Sequence, residues 1–342
     1  SVNGGNSWIS RAIAPGVKSI NALAPSPAYA GDKTLFAGTD AGLYWSTNGG
    51  DNWTLIDAYA GQNVQSLAIS PAWPGHAVLL VGLDEGVFRL LSADPATGIV
   101  RQATAHFSAL SMNPLSLSGD LLLTAGPNHD VYASEDGGTS WESRGLGGGF
   151  YSFTEVAASP AYAVDQKLFT ARSRSGAIGG TLYRSQDGGG SWSGVLSSDL
   201  VSDLAISPGF ASDQTLFAAT NEKALQQSTD GGTTWSDVGI WPVSKTGAAL
   251  QVALPPDYPA DETIFAGGGK GFWRLPQCET TWQQAVSGLT ASHYVLALAV
   301  SPAYATDQTL LALASWSNPP NYVLHYGVFT SGDGGLNWTQ VG

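Results

Sequence analysis

SEDGGTSW, residues 134–141, sets two glycines, two acids, three hydroxyls and a tryptophan side by side. The chain writes nearly the same thing five more times: SVNGGNSW (1–8), STNGGDNW (46–53), SQDGGGSW (185–192), STDGGTTW (228–235) and SGDGGLNW (331–338). Successive starts are 45, 88, 51, 43 and 103 residues apart, so the 88 and the 103 each hold about two periods. Two eroded copies stand at the missing places, SADPATG (92–98) and LPQCETTW (275–282). Seven periods of about 47 residues run from Ser1 to Ser331, a spacing that belongs to propellers and solenoids.

Every period carries the same order of segments. An apolar strand ends in a proline turn, as in INALAPSP, VQSLAISP, SDLAISP and LALAVSP. A second strand of the type AYAGDKTLFAGT (28–39) follows, then a third such as GLYWST (42–47), then the Trp-ended turn and a fourth strand. Short strands between Gly, Pro, Asn and Asp, four to a period and seven times over, predict an all-β, seven-bladed β-propeller with four-stranded antiparallel blades. The expected blades are 13–57, 58–104, 105–146, 147–197, 198–240, 241–287 and 288–342, with 1–12 an extra turn and outer strand that serves the closing seam or belongs to an upstream blade.

The turn itself reads as architecture. Its acid or amide at the third position (Asn3, Asn48, Asp136, Asp187, Asp230, Asp333) can accept backbone N–H groups of its own loop. Glycine at the fifth position suits a positive φ. The closing Trp8, Trp53, Trp141, Trp192, Trp235 and Trp338 are large apolar bodies suited to the space between sheets. A calcium loop needs six to eight oxygen ligands and a phosphate loop a lysine on a helix, and neither demand is met.

The pattern Ser-x-Asp/Asn-x-Gly-x-x-Trp resembles the Asp-box, or BNR repeat, of sialidases, xyloglucan hydrolases, sortilin-type receptors and photosystem assembly factors. The likeness runs over the whole chain. It implies a propeller with such hairpins, in a superfamily that mixes hydrolases with binding proteins. A sialidase-like site implies three arginines on a substrate carboxylate and an Arg-Ile-Pro signature. The chain has eight arginines and lacks that signature.

Bulk properties narrow the field. A net charge of −13 with only 14 basic residues excludes a phosphate-backbone partner, so no nucleic acid is expected. No apolar run reaches the length of a membrane span. The single Cys278 permits no internal disulfide. Low charge density with an acidic bias fits a secreted or cell-surface protein of a bacterium.

In a meander the Trp-ended turns share one side, so function is expected at the other, where the variable loops fall. Trp241, His293, Trp316, Tyr322, Arg172, Arg174, His129 and His325 map there and suit a glycan- or protein-binding mouth. The histidines belong to opposite blades and lack paired spacing, so no metal is expected, and no cofactor. One shared position of the first strands reads Ala22, Ser66, Ala109, Glu155, Asp203, Gln251 and Ala297. Glu155 and Asp203 therefore fall on neighbouring blades and, with Glu222, are the candidates for acid–base work in a glycoside hydrolase or lyase. The preferred reading is a non-catalytic binding or scaffold propeller. Hydrolase, and repeat segment of a larger surface or filament protein, are the alternatives, and the oligomeric state is open.

Overall fold

The computed structural model describes residues 12–69, 73, 79–83, 86–90, 99–101, 110–112, 122–126, 130–135, 140–146, 151–174, 180–198, 200–245, 247, 249–318 and 323–341. Asn3, Trp8, SADPATG, His129, Asp136 and Tyr322 lie outside the described residues.

Among the described residues, seven four-stranded antiparallel sheets form, each a meander in chain order. The first holds β1 to β4 (Ile20–Pro25, Leu35–Thr39, Gly42–Ser46, Thr54–Leu55) and the second β5 to β8 (Val64–Ile69, Leu79–Leu83, Gly86–Leu90, Ile99–Arg101). The third holds β9 to β12 (Leu110–Met112, Leu122–Gly126, Asp130–Ser134, Glu142–Ser143) and the fourth β13 to β16 (Tyr151–Ala158, Leu168–Arg174, Gly180–Ser185, Ser193–Ser198). The fifth holds β17 to β20 (Val201–Ile206, Leu216–Thr220, Ala224–Ser228, Ser236–Asp237) and the sixth β21 to β24 (Gln251–Ala253, Ile264–Gly268, Gly271–Leu275, Gln283–Gln284). The seventh is β25 to β28 (His293–Val300, Leu310–Asn318, Val323–Ser331, Thr339–Gln340).

The chain divides into two compact units. Thr170–Arg184 and Ser193–Gly342 belong to one, Ser10–Phe169 and Ser185–Trp192 to the other. In the first unit, one cluster around Phe217, Trp273 and Trp282 fills the space between sheets five and six, and another around Phe265, Phe272 and Phe329 that between six and seven. In the second, Phe36, Leu43, Val64, Leu79 and Val81 pack sheet one on sheet two. The two middle strands of a sheet are buried on both faces, which is why LFAGT, LLVGL and LFAAT read as unbroken apolar runs rather than alternating ones. Gly38 and Gly267 permit this closeness: a Cβ there would stand 2.5 Å from Val64 Cγ1 and Val295 Cγ1 of the adjoining sheet. Fourth strands of two residues in sheets one, three, five, six and seven leave little unpaired edge.

Both repeated turns are held by their own side chains. In STDGGTTW, Gly232 N–H donates to Ser228 Oγ at 2.8 Å, and that hydroxyl donates to Asp230 Oδ1 at 2.8 Å. Thr234 adds its N–H and its hydroxyl to the same carboxylate. These donors hold the Asp230 carboxyl well below the usual carboxylate range, the Thr234 hydroxyl most of all. SQDGGGSW and SGDGGLNW repeat the network, and STNGGDNW runs it with Asn48. Both glycines, not the fifth position alone, have positive φ, as in Gly231 (70°) and Gly232 (84°). Asp230→Ala frees two backbone N–H groups and a serine hydroxyl. It is expected to cost about 1 kcal/mol at pH 7 by urea unfolding. Because the folded pKa is depressed, the cost should vanish as pH falls through that value.

The proline turn corrects the sequence reading. The AYA segments are not strand but four-residue helices, α1 (Tyr29–Asp32), α2 (Tyr162–Asp165), α3 (Phe210–Asp213) and α4 (Tyr304–Asp307). Their cause is a Ser–Asp pair six residues apart. Ser207 Oγ donates to Asp213 Oδ2 at 2.6 Å and accepts Gly209 N–H, and Asp213 Oδ1 accepts Thr215 N–H. Local polar bonds outcompete strand propensity there.

Candidate functional site

Second and third strands are five residues long in most sheets, but in sheet seven both have nine. The stretch SWSNPPNYVLHY (315–326), read from the sequence as a long loop, is thus mostly ladder, pairing Ser315 with Tyr326, Trp316 with His325, Ser317 with Leu324 and Asn318 with Val323. The Trp316–His325 pair sets two rings opposite one another at its centre, a cross-strand contact that supports the extension.

This hairpin brings together three of the residues marked in the sequence. His293 pairs with Trp316 and Trp316 with His325, so the three stand in a row across β25, β26 and β27. The His325 ring stacks on the indole with centroids 5.6 Å apart and an angle of 21°. His293 lies 5.4 Å from the indole on the neighbouring strand, and Phe329 at 5.7 Å braces it edge-on. Partial burial pulls the His293 pKa below its ordinary value, against a backbone hydrogen bond involving Thr290 that raises it. His325 is exposed, and beside it Val323, Leu324 and Tyr326 expose 56%, 55% and 61% of their surface. These side chains lie outside the core.

Other marked residues go elsewhere. Trp241 is core, not mouth: 8% exposed, it stacks on Trp282 at 4.3 Å and meets Trp273 edge-on. The link it sits on is drawn inward by the indole of the next turn. Arg172 and Arg174 lie on β14, not in a loop; Arg172 is buried with its guanidinium 5.6 Å from the Tyr183 ring centre. Glu222 is exposed in the β18–β19 turn.

The shared first-strand position follows a β-bulge. Register slips between Ile20 and Ala22, Val64 and Ser66, Val201 and Asp203, and Val295 and Ala297. A bulge re-aims the next side chain. At Asp203 it turns the carboxylate onto sheet six, where Oδ2 accepts Val252 N–H at 2.9 Å while Oδ1 accepts Leu204 N–H at 2.9 Å. Burial pushes its pKa up to about 6 against those two bonds. Glu155 Oε1 accepts Val156 N–H at 3.1 Å. The pair is divided between the two compact units.

Sequence reasoning missed Arg184 and Arg274. Arg184 Nη1 reaches the Gly231 carbonyl at 2.9 Å and Thr233 Oγ1 at 2.6 Å, and Arg274 Nη1 the Gly334 carbonyl at 3.1 Å. Each arginine is the residue before the last of its third strand, and each clamps the turn of the following sheet. Their equal place in the repeat was the available signal. Among the described residues no three His, Cys, Asp or Glu gather to hold a metal ion, and no helix is long and apolar enough to cross a membrane.

No family model matches the chain, and no curated protein matches it. Solved structures do. The GH74 enzyme of Niastella koreensis superposes with a TM-score of 0.57 at 14% identity, over 94% of this chain and 58% of that one. The chain thus spans under three-fifths of that enzyme's length. Sqt1 of Chaetomium thermophilum, bound to the N-terminus of the ribosomal protein L10, gives 0.57 at 17% identity over 86% and 82% of the two chains. YCF48 bound to a D1 peptide gives 0.50 at 16% over 78% and 77%. All three are propeller proteins, and the chain is similar to them in fold: it is an all-β protein of the β-propeller class.

Proposed function

We propose that the chain is a seven-bladed Asp-box (BNR) propeller, its blades bounded as expected from the repeat, that binds a glycan or protein partner without catalysis. The observation that carries this reading is the overlong β26–β27 hairpin, with His293, Trp316 and His325 in a row and Val323, Leu324 and Tyr326 exposed beside them. Val323, Leu324 and Tyr326 stand outside the core, and aromatic rings with partly buried edges are what both sugar faces and peptide side chains select. The L10 segment on Sqt1 and the D1 peptide on YCF48 support the protein arm, and the GH74 likeness the glycan arm. Acidity and sparse charge support placement outside a bacterial cell, secreted or on its surface.

The test is a glycan array together with a pull-down from a matched extract, run on the native chain, Trp316→Ala and His325→Ala/Tyr326→Ala. Both variants are expected to weaken the captured ligand at least tenfold, about 1.4 kcal/mol. Blank results on both assays, or equal capture by all three chains, would sink the reading. Hydrolysis is the second reading, favoured by the Asp203 pKa of about 6. Against it, each of that carboxylate's oxygens already accepts a backbone N–H. Turnover on a polysaccharide panel that Asp203→Asn with Glu155→Gln abolishes would establish it in place of the first.

A further inference from the structure

Among the described residues, sheets four and seven lengthen their third strand beyond the usual five residues, and they treat its outer edge differently. In sheet four the fourth strand is lengthened too: β16 has six residues and pairs β15 from Gly180 with Ser198 to Arg184 with Ser193. In sheet seven the fourth strand, β28, keeps two residues and reaches only Phe329 and Thr330. One more bond, from Val341 N–H to the Val328 carbonyl, closes that pairing. The same closing bond falls at Leu43, Leu225 and Phe272 in sheets one, five and six, where the third strand has a single residue left before its hairpin turn. In β27 the stretch from Val323 to Gly327 is left.

Strand alternation identifies the groups on that edge. Val328 turns its carbonyl away from β26, so Tyr326 and Leu324, two and four residues back, turn their N–H and C=O groups the same way. Among the described residues nothing pairs with these groups on that side. The side chains of Leu324 and Tyr326 are exposed on one face of the ladder, and those of Val323 and His325 on the other. Long free edges are ordinarily blunted by a lysine, an inward-pointing charge, a proline or a bulge. Val323 to Gly327 carries none of these: its register with β26 is unbroken, and no Asp, Glu, Lys or Arg occurs from 315 to 326. Main-chain donors and acceptors repeating about every 7 Å match another main chain, and every other sheet answers them with a strand.

We propose that the outer edge of β27 binds an extended segment of a protein partner as an added antiparallel strand, in line with β28, through the main-chain groups of Leu324 and Tyr326. The inference rests on the binding reading above and narrows it to the protein arm. The segment alternates apolar and small polar residues, one set lying beside Leu324 and Tyr326 and the other beside Val323 and His325. A second copy of the chain fits this edge less well. Each copy carries a charge of −13, and so short a ladder buries far less than the roughly 800 Å² per partner of a stable interface.

The test titrates the full chain with blocked peptides acetyl-Thr-X-Thr-Z-Thr-X-Thr-amide, where X and Z are each Val, Leu, Phe or Tyr. The tightest of them is then remade with N-methyl groups on every second residue, in both phases. An added strand bonds through one set of its N–H groups only, so one phase should lose at least tenfold in affinity and the other stay within about threefold. Leu324→Pro deletes an outward N–H without removing a bond to β26 and should weaken the peptide at least tenfold. Leu324→Ala keeps that N–H and should weaken it by no more than about threefold. Unfolding midpoints confirm that both variants are folded, and the N-methyl comparison needs only the native chain. Dissociation constants above about 10 mM for the whole panel, equal loss in both phases, or equal effects of proline and alanine would overturn the proposal. So would a native dimer in light scattering that Leu324→Pro abolishes, which gives the edge to a second copy. A failed panel beside a glycan array that Trp316→Ala weakens removes this proposal and leaves the binding reading standing, whereas blank results on both remove the two together.

Discussion

Replacing Trp282 by alanine is expected to destabilise the protein by about 4 kcal/mol, the cost typical of a buried indole. Trp282 is 2% exposed and serves two sheets at once. Its ring stacks on Trp241 at 4.3 Å, and its Nε1 donates to the Val238 carbonyl at 2.7 Å. Its backbone N–H donates to the Ile240 carbonyl while Ile240 N–H donates to Thr280, so the segment leaving sheet five is laced to the turn of sheet six. Alanine leaves a cavity beside Trp241 and Trp273 and a buried carbonyl without its donor. For 342 residues the loss is a fall in midpoint of roughly 6 °C. Trp282→Phe restores most of the apolar volume but not the hydrogen bond and should recover more than half. Urea unfolding that moves by under about 1 kcal/mol for the alanine variant would show that the indole does not join the sheets.

This prediction rests on a residue the sequence located correctly although its turn had lost the serine, the acid and both glycines of the repeat. Period and aromatic position survive erosion because they are imposed by packing between sheets, and Trp282 still closes the turn between β23 and β24. Strands were legible for the same reason: GLYWST coincides with β3 within a residue. What escaped was set by geometry that composition does not record. A bulge before Asp203 leaves no trace in the residue types, yet it decides that the carboxylate bonds to Val252. Trp241 looked like a mouth residue because its link joins two blades, and only the position of Trp282 reveals that the link dips into the core. His293, Trp316 and His325 were each marked, but their alignment depends on ladder register, which the loop reading of 315–326 concealed.

The stability of the native chain is expected to fall as pH rises from 4 to 7 through one group, Asp203, by between about 2 and 3 kcal/mol. Its folded pKa is raised to about 6 from 3.8, because burial against sheet six outweighs the N–H groups of Val252 and Leu204. Below pH 4 the carboxyl is protonated in both folded and unfolded chains and carries no penalty. Between 4 and 6 the unfolded chain has lost the proton and the folded chain still binds it, so stability declines with each step in pH. Above about 6 both are ionised and the loss is complete. Asp187, whose pKa is lowered to about 2 chiefly by the Ser191 hydroxyl, works in the opposite sense at lower pH, so the measurement must be a difference. Asp203→Asn cannot titrate and keeps the shape, though it can accept only one of the two N–H groups. The gap in unfolding free energy between native and variant chains should therefore narrow, and can reverse, from pH 4.5 to pH 7. A constant gap across that interval would mean that the Asp203 carboxylate is as well solvated as any on the surface. The innermost bulge would then place it in water and not against β21.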